Sequence, residues 1–357
     1  MTIATNSTDT PGGAASRDGS LAACLSLALL LVGSYLLNSF VFPSVAVVFP
    51  LGREISTCSG ALVALVVVLV AFRRPSVVRE GLWSGFFLGA FGVSLGLLTA
   101  GIHQGDRLLI ALGSPLGGAG QLWFSVLIGV AFARLGLARC TVCVPTGFAI
   151  AYFIQGAFEA LGVLPGYALG IVLYFLCTAL AYALVRRPVR QQLAVIRESQ
   201  PPQVLDATNP HSFLPLSSKV FIAMGLFSAA LGYAFGSPST VTHTPFAIAA
   251  FVPVLGLFLA MAVLRRHVSS DGIYLLATML VVGGLLLVPL RHATAFGSPV
   301  LSQMPPLLLQ SGSDCFSLLT YLLVGALGER NPIGSLSVSA SACAASHFGI
   351  ACGATAA

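Results

Sequence analysis

Between Leu21 and Phe42 the chain carries no charged side chain, and runs of this kind recur to its end. About 20 consecutive apolar residues are what a helix needs to cross the hydrocarbon core of a bilayer. Eleven stretches approach that length: roughly 21–42, 57–72, 82–101, 113–134, 141–162, 166–185, 219–236, 244–264, 272–290, 306–327 and a less apolar one, 333–356. Lipid offers no hydrogen bonds to backbone amides, so each stretch must satisfy its own as a helix. Composition agrees. The chain is 57% hydrophobic and 8% charged, with a mean hydropathy of +0.95, whereas a soluble domain has about 25% charged residues. The expected class is an all-α membrane protein.

The placement of Lys and Arg orients such a chain. With the amino terminus in the cytoplasm and alternate crossings, 14 of the 17 Lys and Arg fall on the cytoplasmic side, leaving only Arg53, Arg107 and Arg291 outside. That asymmetry is a positive-inside signature. Four of the arginines, Arg186, Arg187, Arg190 and Arg197, crowd into "VRRPVRQQLAVIRESQPPQ" after the sixth span. The expected organisation is a disordered polar N-terminus (1–20), a first six-helix half (21–186), a cytoplasmic basic linker (187–218) and a second half (219–357). Within the linker, "VRQQLAVIRES" has the pattern of an amphipathic helix at the inner surface, where anionic lipid attracts each Arg by about 1 kcal/mol.

The chain also repeats itself loosely. The second span ends in Arg73 and Arg74, and the eighth ends in Arg265 and Arg266, 192 residues later. The same offset carries the fifth span onto 333–354 and the sixth beyond Ala357. A 6+5 bundle, an incomplete 6+6, is the expected architecture. On that reading the last 25 residues lack a partner helix. Rich in Ala, Ser and Gly, they are expected to sit loosely on the bundle and to be readily cleaved.

Six plus six spans around a long basic loop resemble the major facilitator fold. The family's Gly-x-x-x-Asp-Arg-x-Gly-Arg signature between spans two and three is reduced here to "RRPSVVREG", which keeps arginines and lacks the Asp-Arg core. A second resemblance is to the major-facilitator-like membrane half of bacterial LuxR-type transcription regulators. It is carried by "DCFSLLTYLLVGALGERNP" (Asp314–Pro332) and "PLGRE" (Pro50–Glu54). It implies a ligand-sensing membrane module. The residues after Pro332 contain no basic recognition helix, so no direct nucleic acid contact is expected.

Ionisable groups inside lipid are costly and usually face a cavity or a partner. Within the spans two acids stand out, Glu159 and Asp314. Tyr152, Gln155 and Glu159 share one face of the fifth span, and Gln310, Asp314 and Ser317 one face of the tenth. Gln121 lies at similar depth on the fourth. Together they suggest an outward-facing polar cavity holding a small ligand. The alternative is plain interhelical hydrogen bonding, worth about 0.6 kcal/mol per pair. Gly81, Gly85, Gly89, Gly92 and Gly96 suggest close helix packing within the chain. Cys140 and Cys143 ("CTVC") have neither a redox fold nor a second ligand pair, and are expected to pack as small apolar groups. "LGSPLGGAGQ" lacks the Lys-Ser/Thr of a phosphate loop. No catalytic residue, cofactor or metal is implied, and the six histidines lie mostly in loops or near span ends.

The sequence thus suggests a multi-pass protein of a bacterial inner membrane: a LuxR-related sensor module, or else a major-facilitator-like secondary transporter of a small solute or a truncated inactive product. The topology is directly testable. A reporter fused after Gln203 should be cytoplasmic and one at Ser239 external; both on the same side would overturn the span count.

Overall fold

Each of the eleven apolar stretches contains a helix. A computed structural model describes residues 13–160, 166–198, 221–233, 250–266, 268–288 and 299–356. Gln203 and Ser239 lie outside them. The first helix, α1 (Gly13–Leu36), begins within the polar N-terminal stretch. It continues through a π-helical turn at Leu37–Val41 into Phe42–Val48. There follow α2 (Gly52–Arg73), α3 (Glu80–Gln104), α4 (Arg107–Leu135), α5 (Leu137–Ala160) and α6 (Tyr167–Glu198). The remainder comprises α7 (Phe221–Tyr233), α8 (Val252–Val263), α9 (Ser270–Leu287), α10 (Pro299–Arg330) and α11 (Ser335–Ala356). Among the described residues, nine helices are long and apolar enough to cross a membrane; α7 and α8 are shorter.

Local chemistry sets the breaks. Gly105 ends α3 at φ 68°, a left-handed conformation that costs glycine little. The Asp106 side chain then accepts the Leu108 N–H at 2.8 Å and starts α4. Gly136, at φ 77°, separates α4 from α5. Ser269 caps α9 by accepting the Gly272 N–H at 3.1 Å.

The basic stretch behaves differently from a linker at its start. α6 runs on without a break to Glu198, past Pro188. Val189, Gln192, Leu193 and Ile196 are buried at helical spacing, so one face of this extension is packed against protein. Arg134 donates to the Pro188 carbonyl at 3.0 Å and to Gln191 Oε1 at 2.6 Å. Gln192 donates to the Pro332 carbonyl at 2.6 Å. The arginine-rich end of α6 is thereby tied to α4 and to the α10–α11 turn. Residues 199–218 of the expected linker lie outside the described residues.

The helices pair in a pattern that fits the 192-residue offset. α2 packs along α11, α5 along α8, and α4 along α10. Under the offset α2 corresponds to α8 and α5 to α11, so the first two contacts are one contact repeated. At the arginine-rich end the Leu137 N–H donates to Glu329 Oε2 at 2.9 Å, between positions 192 residues apart. Under the offset this bond joins two equivalent positions.

Close approach along these contacts depends on small residues, as expected where lipid supplies no hydrophobic drive between helices. A Cβ at Gly118 of α4 would overlap the Ser56 carbonyl of α2, and one at Gly120 would lie 2.7 Å from Phe91 Cβ of α3. The glycine run in α3 does not share this role. Gly81, Gly85, Gly89 and Gly96 have nothing within 4 Å of a built Cβ, and Gly92 only Phe175 at 4.0 Å. The buried stripe of α3 is Ser84, Phe87, Phe91, Ser94, Leu95 and Leu98, on the opposite face. The expectation that this run packs within the chain is therefore wrong. Phe87 stacks on Trp123 at 5.4 Å, and Trp123 Nε1 donates to Ser84 Oγ at 3.1 Å.

The expectation of a loosely held carboxyl-terminal helix also fails. Small residues do suit α11 to close packing, but its partners are already present. A Cβ at Gly349 or Gly353 would overlap the carbonyls of Gly225 and Ala229 in α7. Ser339 donates to the Val126 carbonyl of α4 at 2.9 Å. Gly118→Ala and Gly353→Ala should each destabilise the folded protein by about 1–3 kcal/mol, the usual range for overpacking. Gly85→Ala should leave it unchanged or gain up to about 1 kcal/mol of helix propensity. Thermal unfolding in detergent checks this: equal losses at all three positions would refute the packing assignment.

Candidate functional site

The half-buried carboxylate of the tenth span gathers the polar groups around it. Asp314 sits on α10 one turn from Gln310, and the i, i+4 spacing brings the two side chains together. Gln310 Nε2 donates to both Asp314 carboxylate oxygens, at 3.0 Å each. No cation lies within salt-bridge distance of Asp314 among the described residues. An ionised carboxylate accepts about four hydrogen bonds, so Gln310 leaves acceptor capacity unused.

Tyr152 of α5 completes the group from the other half. Its ring stacks on Phe251, at the start of α8, with centroids 4.0 Å apart and planes 11° apart. Its hydroxyl is buried and faces the Asp314 carboxylate, yet it lies outside hydrogen-bond geometry. Ser311, next to Gln310, donates to the Ala250 carbonyl at 2.7 Å and holds α10 against the residue preceding Phe251. Three helices from both halves thus converge on one carboxylate. The arrangement offers an acceptor, a phenol and an aromatic wall.

The other sequence-derived positions distribute around this centre. Gln155 is buried on the same face of α5 as Tyr152, and Ser317 is half-buried below Asp314 on α10. Glu159 lies in the last turn of α5, with its side chain outside the described residues. Gln121 belongs elsewhere: its Nε2 donates to Ser34 Oγ of α1 at 3.4 Å. The expected outward opening falls on residues 161–165 and 234–249, outside the described residues.

Sequence reasoning passed over three features. Phe251 lies in the stretch of the eighth span and carried no polar signal. Glu80 was placed in a loop; it is the first residue of α3, buried, and bound by Tyr182 and by Arg186 Nε, the latter at 3.4 Å. The pairing closes the arginine-rich end of the first six helices and uses one arginine of the basic stretch. His347 lies in the middle of α11 rather than at a span end. Its Nδ1 is 3.0 Å from the Cys343 carbonyl, and a Cβ at Gly60 of α2 would lie 3.1 Å from its ring. Reading 333–356 as a marginal span hid that residue. Cys140 and Cys143 are buried free thiols, and Cys140 Sγ donates to the Phe132 carbonyl at 3.4 Å. No group of three or more His, Cys, Asp or Glu able to hold a metal ion occurs among the described residues.

No family model matches the sequence, and no curated protein matches it. Several solved structures are similar in fold, among them the following two. One is the human organic anion transporter MFSD10 (TETRAN), with a TM-score of 0.58 and 15% identity over 98% of this chain and 93% of that one. The other is a bacterial homologue of the iron transporter ferroportin in an outward-facing state, with a TM-score of 0.51 and 18% identity over 92% and 89%. One is a transporter and the other a homologue of one, and the expectation of a LuxR-type membrane half is not met. The motifs that suggested it have structural roles. Cys315, Phe316 and Leu319 are buried core residues. Asn331 Oδ1 accepts the Gly334 N–H at 3.0 Å, and the Pro332 carbonyl accepts from Ser335 at 2.7 Å, so "RNP" is the turn that starts α11. At these identities the comparisons show the fold alone: an all-helical, major-facilitator-like bundle.

Proposed function

We propose that this protein is a secondary transporter of a small solute in a bacterial inner membrane, with its amino terminus in the cytoplasm, and that Asp314, Gln310 and Tyr152 form its solute site. The observation that carries the proposal is a half-buried carboxylate with no cationic partner among the described residues, placed where α5 of the first half meets α8 and α10 of the second. Isolated charge in this position is expensive and is kept where it has a task. Transporters of this architecture expose a site between their halves to one side and then the other by rocking one half against the other.

The residues suit a solute bearing a cationic or hydrogen-bond-donating group. Asp314 accepts from that group, and Gln310 holds the carboxylate in place from one turn away. The Tyr152 hydroxyl adds a donor or acceptor beside it. The stacked Tyr152 and Phe251 rings present an aromatic surface to the solute's carbon skeleton, which favours cations over the ring face. Gln155 and Ser317 extend the polar face along α5 and α10. The 14-to-3 distribution of Lys and Arg supports the proposed orientation.

A panel of choline, tetraethylammonium, arginine and neutral amino acids, presented to the purified protein in vesicles, tests this. At least one should show saturable uptake above protein-free vesicles. Asp314→Asn, nearly isosteric, should fold as well as the parent and lose uptake at least tenfold. Tyr152→Phe should raise the half-saturating concentration. Removing a buried charge does not weaken a bundle by default, so Asp314→Asn remains a fair test. Uptake by Asp314→Asn at the parental rate, or no uptake of any panel member by the parent, would overturn the assignment.

A further inference from the structure

We propose that the arginine-rich end of the bundle carries a binding site for the headgroup of an anionic phospholipid, between α5, α8 and α9. A cavity of about 700 Å³ opens there, lined by Arg139 of α5 and by Arg265 and Arg266 just after α8. Ser20, Thr141 and Ser270 contribute hydroxyls to the same wall. None of the three arginines makes an ion pair among the described residues, and no acidic side chain lines the cavity. On the helices that line it, Glu329 of α10 is engaged by the Leu137 N–H at 2.9 Å, Asp271 is exposed in the first turn of α9, Asp314 is held by Gln310, and the side chains of Asp18 of α1 and Glu159 of α5 lie outside the described residues. Three guanidinium groups around one cavity repel one another until an anion joins them. Arginine suits phosphate in particular, because its planar fork meets two oxygens at once.

The rest of the lining selects a lipid over a dissolved anion. Val142, Met261, Val268 and Ile273 form an apolar floor beneath the arginines. Beside them Val263 and Leu264 are more than half exposed on the outer face of the bundle. A ligand satisfying both parts has a phosphate at one end and hydrocarbon at the other. Basic pockets between helices on the cytoplasmic side are where anionic lipid headgroups bind, and the charge distribution assigns this end to the cytoplasm. Arg139 belongs to the first six helices and Arg265 and Arg266 to the last five, so a bound lipid also bridges the two halves at the end where Leu137 meets Glu329.

The offset supplies its own control. Arg73 and Arg74 are the counterparts of Arg265 and Arg266, at the end of α2, and do not line this cavity. The full chain, purified in neutral detergent, is titrated with phosphatidylglycerol or phosphatidylcholine, and lipid retention is read by native mass spectrometry. Phosphatidylglycerol should be retained in preference to phosphatidylcholine. The variant R265Q/R266Q should bind it roughly 30-fold more weakly, as two surface cation–lipid contacts imply, while R73Q/R74Q binds as the parent does. Ala138→Trp, which intrudes a bulky ring into the cavity and keeps every charge, should also weaken binding; it decides the matter if R265Q/R266Q fails to fold. Inorganic phosphate at millimolar concentration should not displace the lipid. Equal losses in both arginine pairs, retention unaffected by Ala138→Trp, or displacement by inorganic phosphate would each overturn the proposal.

Discussion

Helices in a bilayer gain nothing by hiding apolar side chains from lipid, so their association rests on fit. In this protein the fit is concentrated on α4. Gly113 lies against Leu97 and Leu98 of α3, Gly118 against Ser56 of α2, Gly120 against Phe91 of α3, and Gly129 against Ser339 of α11. At the arginine-rich end the close approach passes to α10, where Gly325 lies against Cys140 and Gly328 against Ala133. With side chains absent at these points, backbones of both halves approach as near as van der Waals contact allows. Dispersion and short serine-to-carbonyl hydrogen bonds then replace the hydrophobic effect as the cohesive force.

This mode of packing leaves a place for polarity. Where α2 meets α11 the contact is tight and made of small residues. Where α5 meets α8 and α10 it is built from larger groups, Tyr152, Phe251, Gln310 and Asp314. The two contacts are equivalents under the 192-residue offset, and the second brings Tyr152 and Phe251 into a ring stack beside Asp314 of α10. A bundle with one closely packed seam and one polar seam has a natural site for a ligand on the second. The arginine-rich end is closed by hydrogen bonds of Arg134, Gln192 and Glu329 that cross between helices. Such contacts exchange readily with water, unlike the glycine contacts deeper in the bundle.

The failed resemblance has a physical explanation. Short motifs at helix ends report the chemistry of starting and stopping a helix, and unrelated bundles reach the same solutions. Asn331 caps a turn, the Pro332 carbonyl accepts from Gln192 and Ser335, and Cys315 and Phe316 fill core space, with Phe316 stacked on Phe227 at 4.2 Å. None of these roles is tied to sensing or to transcription.

The sequence by itself determined which stretches form helices, their approximate limits and the pairing of Gln310 with Asp314. Each follows from interactions within about one helical turn or from transfer between water and lipid, which act residue by residue. It did not determine which glycines matter: the conspicuous run in α3 faces open space, while Gly118 and Gly353 sit against neighbouring carbonyls. Nor did it show that α11 already has its partners, that Tyr152 and Phe251 stack beside Asp314, or that the basic stretch continues α6. Those outcomes depend on contacts between residues far apart in the chain. Small and aromatic residues look alike in an apolar run whether they meet a helix or lipid, and only the tertiary arrangement decides which.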